Sequence, residues 1–300
     1  MQRGSAAKAA RPGRRNTRLA RLALAAGALL SLAGCGNSLP GPSTPSPGAS
    51  SLPQQLESAH FIFYSTDVDR PVLPALADLL ESHFDAVVSH LEVTMPSKVR
   101  VEVYPALASF HSHSSMPNGP DWFIGQASGS SLIRMVSPQN PGPAHTRDSV
   151  MLAAVHELVH AASAVANPSL ATVSWLCEGV AVFEAGQTPN RAAITRAVQM
   201  NSVPSLAAMT SLDGFVANNG YTFSYTIAEY VVAEYGYPAL ARLVRTPQDF
   251  ASALGPGLDA QRFEHDWRDF LARTYDVDAP AGASSRRGFF AGLDFFRPPS

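Results

Sequence analysis

The stretch AAVHELVH, residues 153–160, lies within an apolar run and predicts a buried helix. It places His156 and His160 four positions apart, with Glu157 directly after the first histidine. Residues four apart on an α-helix share one face, so both imidazoles would point to the same place. Glu157 is rotated by about 100° around the helix axis and would point beside that place. The flanking positions are apolar, which predicts a buried helix: Val155, Leu158, Val159 and Ala161.

This helix is predicted to span 149–166. Asp148 is a suitable N-cap residue, and Asn167-Pro168 ends the helical pattern. A second helix is predicted to begin near Ser174, after a loop through Pro168 that leaves room for it to pack against the first.

The second helix carries Glu178, 18 positions after His160. Its carboxylate can be aimed at the two imidazoles, which completes a set of two His nitrogens and one Glu oxygen around one Zn²⁺ ion. This set leaves a fourth position for water, as in catalytic zinc sites. Glu157 could then hold that water and accept its proton as a general base.

The remaining folded region alternates between strand and helix before it becomes helical. Strands are predicted over 60–64, 99–103 and 131–136, and a helix over 71–91. From about residue 148 onward the pattern is helical. This order predicts an α+β fold, with a small sheet and an active-site helix followed by a mostly helical C-terminal part.

The N-terminus is typical of an exported bacterial lipoprotein. A basic segment and a short apolar run end in Leu32-Ala33-Gly34-Cys35, which resembles a lipobox, so 1–34 is predicted to be a signal peptide and Cys35 the lipid-modified residue. We expect the protein to be lipid-anchored to the outer face of a bacterial cell membrane. If Cys35 is acylated, the one remaining cysteine, Cys177, has no disulfide partner within the chain.

Composition divides the rest of the chain. Residues 35–56 are rich in Pro, Ser and Gly and predict an extended tether, 57–276 form the folded domain, and 277–300 are predicted to be a poorly ordered tail. Removing the seven basic residues of 1–34 leaves 15 basic and 24 acidic residues, a net charge of −9. Such an acidic body is not expected to bind nucleic acid. The oligomeric state is not readable from the sequence.

Three blocks of sequence resemble the gluzincin metallopeptidases, which include thermolysin and the catalytic part of many aminopeptidases. They begin at His156, at Trp175 and at Tyr221: HELVH, WLCEGVA and YTFSYTIAEYVVAEYG. The resemblance implies a zincin-like fold, one Zn²⁺ bound by His156, His160 and Glu178, and hydrolysis of a peptide or protein substrate. It also implies that the hydroxyl of Tyr221 stabilises the oxyanion, with Tyr225 as the alternative one turn along.

Two departures from the family refine this prediction. The Gly-x-Met-x-Asn motif of the aminopeptidases is absent from 125–135, which favours an endopeptidase. The thermolysin-like enzymes carry an aspartate four positions after the third ligand, where this chain has Val182. Glu184 or another acid could take over its role of orienting a histidine.

Two classes of function remain open at this point. The first is a lipid-anchored zinc peptidase. The second is a catalytically idle zinc-binding domain that binds peptides or partners of the cell envelope. Retention of Glu157 favours the first, because a purely structural zinc site closes its fourth position and has no use for a base. A latent peptidase that needs processing of its tether or tail is a third possibility.

Overall fold

The computed structural model describes residues 51–275 and combines one sheet with ten α-helices and three short 3-10 helices in that range. The strands are β1 (Gln54–Glu57), β2 (Phe61–Ser65), β3 (Val99–Tyr104), β4 (Gly125–Ser128) and β5 (Leu132–Val136). The first four helices are α1 (Leu73–His90), α2 (Leu107–Ser112), α3 (Arg147–Ala166) and α4 (Ser174–Glu184). The C-terminal helices are α5 (Arg191–Gln199), α6 (Leu212–Ala217), α7 (Gly220–Tyr235), α8 (Tyr237–Arg245), α9 (Phe250–Leu254) and α10 (Ala260–Tyr275). The predicted order of elements, a sheet region followed by a mostly helical part, is confirmed.

The sheet is mixed, and its strand order is β1-β2-β3-β5-β4. Strands β2, β3 and β5 run parallel, while β1 and β4 pair antiparallel at the two edges. Both edge strands were missing from the prediction. Residues 54–57 of β1 overlap the end of the predicted tether, and β4 begins at Gly125 in a Gly-rich stretch that has little strand propensity of its own.

The central strand β3 is buried on both faces. Val101 and its neighbours on one face belong to the hydrophobic core. On the other face Glu102 is only 2% exposed. Its carboxylate is hydrogen-bonded, since Arg134 donates to it at 2.9 Å and the hydroxyl of Tyr104 donates to it at 3.0 Å. Pairing a buried charge in this way avoids most of its desolvation cost, so an acidic residue is compatible with a covered position.

Helix α3 is the core helix of the molecule. Its N-cap is Thr146 rather than the predicted Asp148, because Thr146 and Ser149 form a reciprocal capping box that leaves Asp148 in the first turn. The helix ends at Ala166, as predicted, with Asn167 as its C-cap. Among the described helices only α3 is long and apolar enough to cross a membrane, but 67% of its apolar window is buried inside the protein.

Helices α4 and α7 pack closely because Gly179 has no side chain. A Cβ atom at Gly179 would lie 2.5 Å from the backbone oxygen of Ser224 on α7. A glycine inside a helix normally lowers stability relative to alanine, so its presence here is explained by the close approach of the two backbones. This contact brings Glu178, the residue before Gly179, near the first turn of α7, where Tyr221 lies.

The predictions for the two ends of the chain concern residues outside the described range. The signal peptide 1–34, the lipid-modified Cys35, most of the tether and the tail 277–300 therefore stay predictions.

We predict that Gly179→Ala lowers the free energy of unfolding by about 1–3 kcal/mol, because the added methyl group collides with backbone atoms and forces the helices apart. Urea denaturation measures the effect. Since the clash is with a carbonyl oxygen, Ser224→Ala in the Gly179→Ala background should not restore stability, and the double-mutant cycle should show little coupling. An unchanged unfolding midpoint for Gly179→Ala would contradict the close approach.

Candidate metal centre

Helix α3 presents two histidines to one point in the core. His156 and His160 are 0% and 4% exposed, and their Nε2 atoms lie 2.9 Å apart. Their rings are nearly perpendicular, with centroids separated by 4.5 Å. The four-residue spacing therefore has the predicted effect: both imidazoles point in the same direction from one face of the helix.

Helix α4 brings the carboxylate of Glu178 to the same point. Its Oε2 atom lies 3.2 Å from Nε2 of His156 and 3.6 Å from Nε2 of His160. Glu178 is 1% exposed. The second helix begins at Ser174, as predicted, and its close packing on α7 and α3 holds this side chain inside the protein.

The three side chains could together hold a metal ion. Bonds of about 2.0–2.1 Å to a tetrahedral ion separate neighbouring ligand atoms by roughly 3.3 Å, close to the distances seen here. Oε2 of Glu178 is buried and lies near the Nε2 atoms of both histidines, so the three donor atoms converge on one point where a cation fits. Burial raises the pKa of Glu178, but the imidazoles of His160 and His156 outweigh it and lower that pKa to about 2. Glu178 is therefore anionic at neutral pH.

Glu157 lies beside this cluster, against the edge strand β4. It is 0% exposed, and a Cβ atom at Gly125 would lie 2.9 Å from its Oε1. Gly125 is thus the residue of β4 that gives the carboxylate room. No side chain of ordinary size fits at that position without moving Glu157.

Tyr221 lies in the first turn of α7 and is half-buried, with its ring edge-on to Phe215 at a centroid distance of 4.8 Å. Burial raises the pKa of Tyr221 well above its ordinary value, and the charges of Glu178 and Glu157 raise it further. The hydroxyl therefore stays protonated and lies within the field of both carboxylates. A protonated hydroxyl in this position can donate a hydrogen bond.

Tyr225, the alternative to Tyr221, belongs to a different environment. Its ring packs edge-on to Phe183 at 5.5 Å. Burial raises the pKa of Tyr225, and the next contribution comes from Glu229 rather than from the carboxylates of the cluster. Of the two tyrosines, Tyr221 is the one that the structure brings to the cluster.

The outer partner of His156 is an amide, which the sequence did not indicate. Nδ1 of His156 lies 3.2 Å from Oε1 of Gln187, a buried residue just after α4. Glu184, which the sequence offered for this role, instead accepts from Nδ1 of His90 at 2.8 Å. Gln187 could not be found from the sequence, because the loop that returns it to α3 carries no motif.

Cys177 lies on the other side of the cluster, with Sγ 3.5 Å from Nδ1 of His160. Cys177 is disulfide-bonded, so the expectation of an unpaired thiol at this position is wrong. The only other cysteine of the chain, Cys35, lies outside the described residues. A lipid on the sulfur of Cys35 and a disulfide between these two residues exclude each other.

The sequence matches no protein-family model, and it matches no curated protein. What can be inferred about function therefore comes from the geometry of the cluster.

We predict that the purified protein binds one divalent metal ion per chain and that His160→Ala or Glu178→Ala abolishes this binding, because each removes one of three donors. Elemental analysis after dialysis measures the metal content. The matched control is His265→Ala, which removes a histidine from an exposed group that includes Asp266 and Asp269. Equal metal content in all four proteins would show that the buried cluster is not the binding site.

Proposed function

We propose that this protein is a zinc-dependent peptidase with a zincin-like fold of the gluzincin type, and that it acts as an endopeptidase. One observation carries the proposal: two histidines of α3 and a glutamate of α4 converge in the core. Glu157, which follows the first histidine on α3, is buried beside them. Two imidazole nitrogens and a carboxylate oxygen are the donor set of catalytic zinc sites in this class of enzyme.

His156, His160 and Glu178 would hold the zinc ion. When bound, the ion would supply Lewis acidity, which polarises the scissile carbonyl and makes a water molecule acidic enough to lose a proton near neutral pH. Their burial also favours this chemistry, because a dry environment strengthens every electrostatic interaction in the site.

Glu157 acts as the general base in this mechanism. Its carboxylate takes a proton from the attacking water and later delivers it to the nitrogen of the leaving amine, so the proton is conserved. The absence of a side chain at Gly125 leaves room for the carboxylate next to strand β4.

Tyr221 stabilises the negative charge that develops on the carbonyl oxygen. A hydroxyl that remains protonated at neutral pH can donate a hydrogen bond to an oxyanion, and the environment of Tyr221 keeps it protonated. Because the donor is fixed before the reaction begins, its dipole needs little reorganisation in the transition state.

The proposed location is the outer face of a bacterial membrane, with a lipid on Cys35 as the anchor, which requires that Cys35 is not the disulfide partner of Cys177 in the mature protein. The lipobox-like sequence and the basic segment before it support this part of the proposal. The substrate is then a peptide or protein of the cell envelope or its surroundings.

One observation favours the alternative of an idle or latent zinc-binding domain. Both carboxylate oxygens of Glu157 are buried, and the ligand residues have almost no exposure. A peptide must therefore displace part of the surrounding structure to reach the base. Cleavage assays separate the alternatives, since an idle domain would bind zinc without hydrolysing any peptide.

We predict that Glu157→Gln lowers kcat for peptide cleavage by about 10²–10⁴-fold and leaves the zinc content unchanged, because it removes the base but no ligand. Turnover of a peptide library by the zinc-loaded protein gives the measurement. Glu184→Gln is the matched control, since it neutralises another buried glutamate that pairs with His90. Zinc binding by the wild type with no cleavage would favour the idle domain instead.

Tyr221→Phe should lower kcat by about 10²–10³-fold with little change in KM, since the hydroxyl acts mainly in the transition state. Tyr225→Phe should have a much smaller effect, because the charge that raises its pKa is that of Glu229, whereas the charges of Glu178 and Glu157 act on Tyr221. Steady-state kinetics on one cleaved peptide measures both variants. The reverse order of the two effects would assign the oxyanion role to Tyr225.

A further inference from the structure

Gln187 is a buried amide that reaches a ligand residue from outside the cluster. It follows Gly186, whose φ of +66° turns the chain back after α4. Gln187 is 4% exposed, and its Oε1 lies 3.2 Å from Nδ1 of His156, 31 positions earlier in the sequence. Its other end is not satisfied, because the buried Nε2 has no hydrogen-bond partner.

This half-satisfied amide is costly to keep in the core. A buried donor without a partner lowers stability by its full desolvation penalty, whereas an apolar side chain of the same size would not. The benefit must therefore come from the oxygen end, which is within hydrogen-bond distance of the imidazole of His156.

The contact distinguishes between the two neutral tautomers of His156. Nε2 of this ring faces Glu178 and His160, so it must be unprotonated to bind a cation, and the proton must then reside on Nδ1. An Nδ1–H group can donate to the amide oxygen. The opposite tautomer would place two acceptors face to face, and it is disfavoured.

The amide also differs chemically from a carboxylate in this position. A carboxylate that accepts from a ligand histidine raises the basicity of the ring and strengthens its bond to the metal. A neutral amide orients the ring in the same way but draws the proton less strongly. The only acid in this loop region, Glu184, is used by His90.

We propose that Gln187 is a positioning residue that fixes the tautomer and orientation of His156, and that its neutral amide sets a lower metal affinity than an acid would. The inference rests on the proposed function, because it treats His156 as a zinc ligand. It assigns to Gln187 the part that the sequence analysis left to Glu184 or another acid.

The test compares two variants. Gln187→Met keeps the approximate volume of the side chain but removes the hydrogen-bond acceptor, and Gln187→Glu keeps an acceptor but makes it a carboxylate. Zinc affinity is measured by competition with a chelator, and the tautomer of His156 in the metal-free protein by nitrogen NMR of labelled histidine. We expect Gln187→Met to weaken zinc binding by about 10–100-fold and to lose the preference for the Nδ1–H tautomer. Gln187→Glu should bind zinc more tightly than the wild type, and an affinity equal to or below that of the wild type would overturn the claim that the neutral amide lowers the affinity.

The matched control is Glu184→Gln, which alters the partner of a histidine that is not a ligand. It should leave zinc affinity unchanged even if it lowers the melting temperature. Wild-type affinity and tautomer in Gln187→Met would overturn the inference while leaving the peptidase proposal intact. A wild-type protein that binds no zinc would overturn the proposed function and the inference with it. Weaker binding in Gln187→Met, together with tighter binding in Gln187→Glu, supports the inference whether or not any peptide is cleaved.

Discussion

The structure depends on one constraint: two imidazole nitrogens and a carboxylate meet in a buried core. The Nε2 atoms of His156 and His160 are 2.9 Å apart, and Oε2 of Glu178 is within 3.6 Å of both. Lone pairs at such distances repel one another unless a positive charge lies between them. Either a proton or a metal ion can supply that charge, and two imidazoles with one carboxylate are a set that could hold the ion.

The surrounding fold keeps this arrangement together through close backbone contacts. Gly179 lets α4 lie against the backbone of α7, and Gly125 lets the edge strand β4 lie against Glu157. Glycine at both positions lets these elements approach one another more closely than a side chain would allow. Glu157, the three clustered side chains and Tyr221 are carried by helices α3, α4 and α7.

The sequence predicted the cluster better than the sheet. The spacing of His156 and His160 and the helix that begins at Ser174 depend on local periodicity, which a sequence displays directly. Strand β4 was not predicted because residues 125–128 have weak strand propensity. The pairing of β4 with β5 stabilises the strand instead. Thr146 was missed as the N-cap because Asp148 is an equally suitable residue type. The role of Gln187 depends on a contact across 31 positions, which no local pattern contains.

X-ray absorption at the zinc edge tests whether His156, His160 and Glu178 bind the ion, because it reports the atoms bound to zinc. For the zinc-loaded protein we expect nitrogen and oxygen neighbours at about 2.0–2.1 Å, with the multiple-scattering signal of two imidazoles. A sulfur neighbour at about 2.3 Å would contradict the account, since it would make Cys177 a ligand in place of Glu178. Loss of the imidazole signal would equally contradict it, because the ion would then lie outside the core.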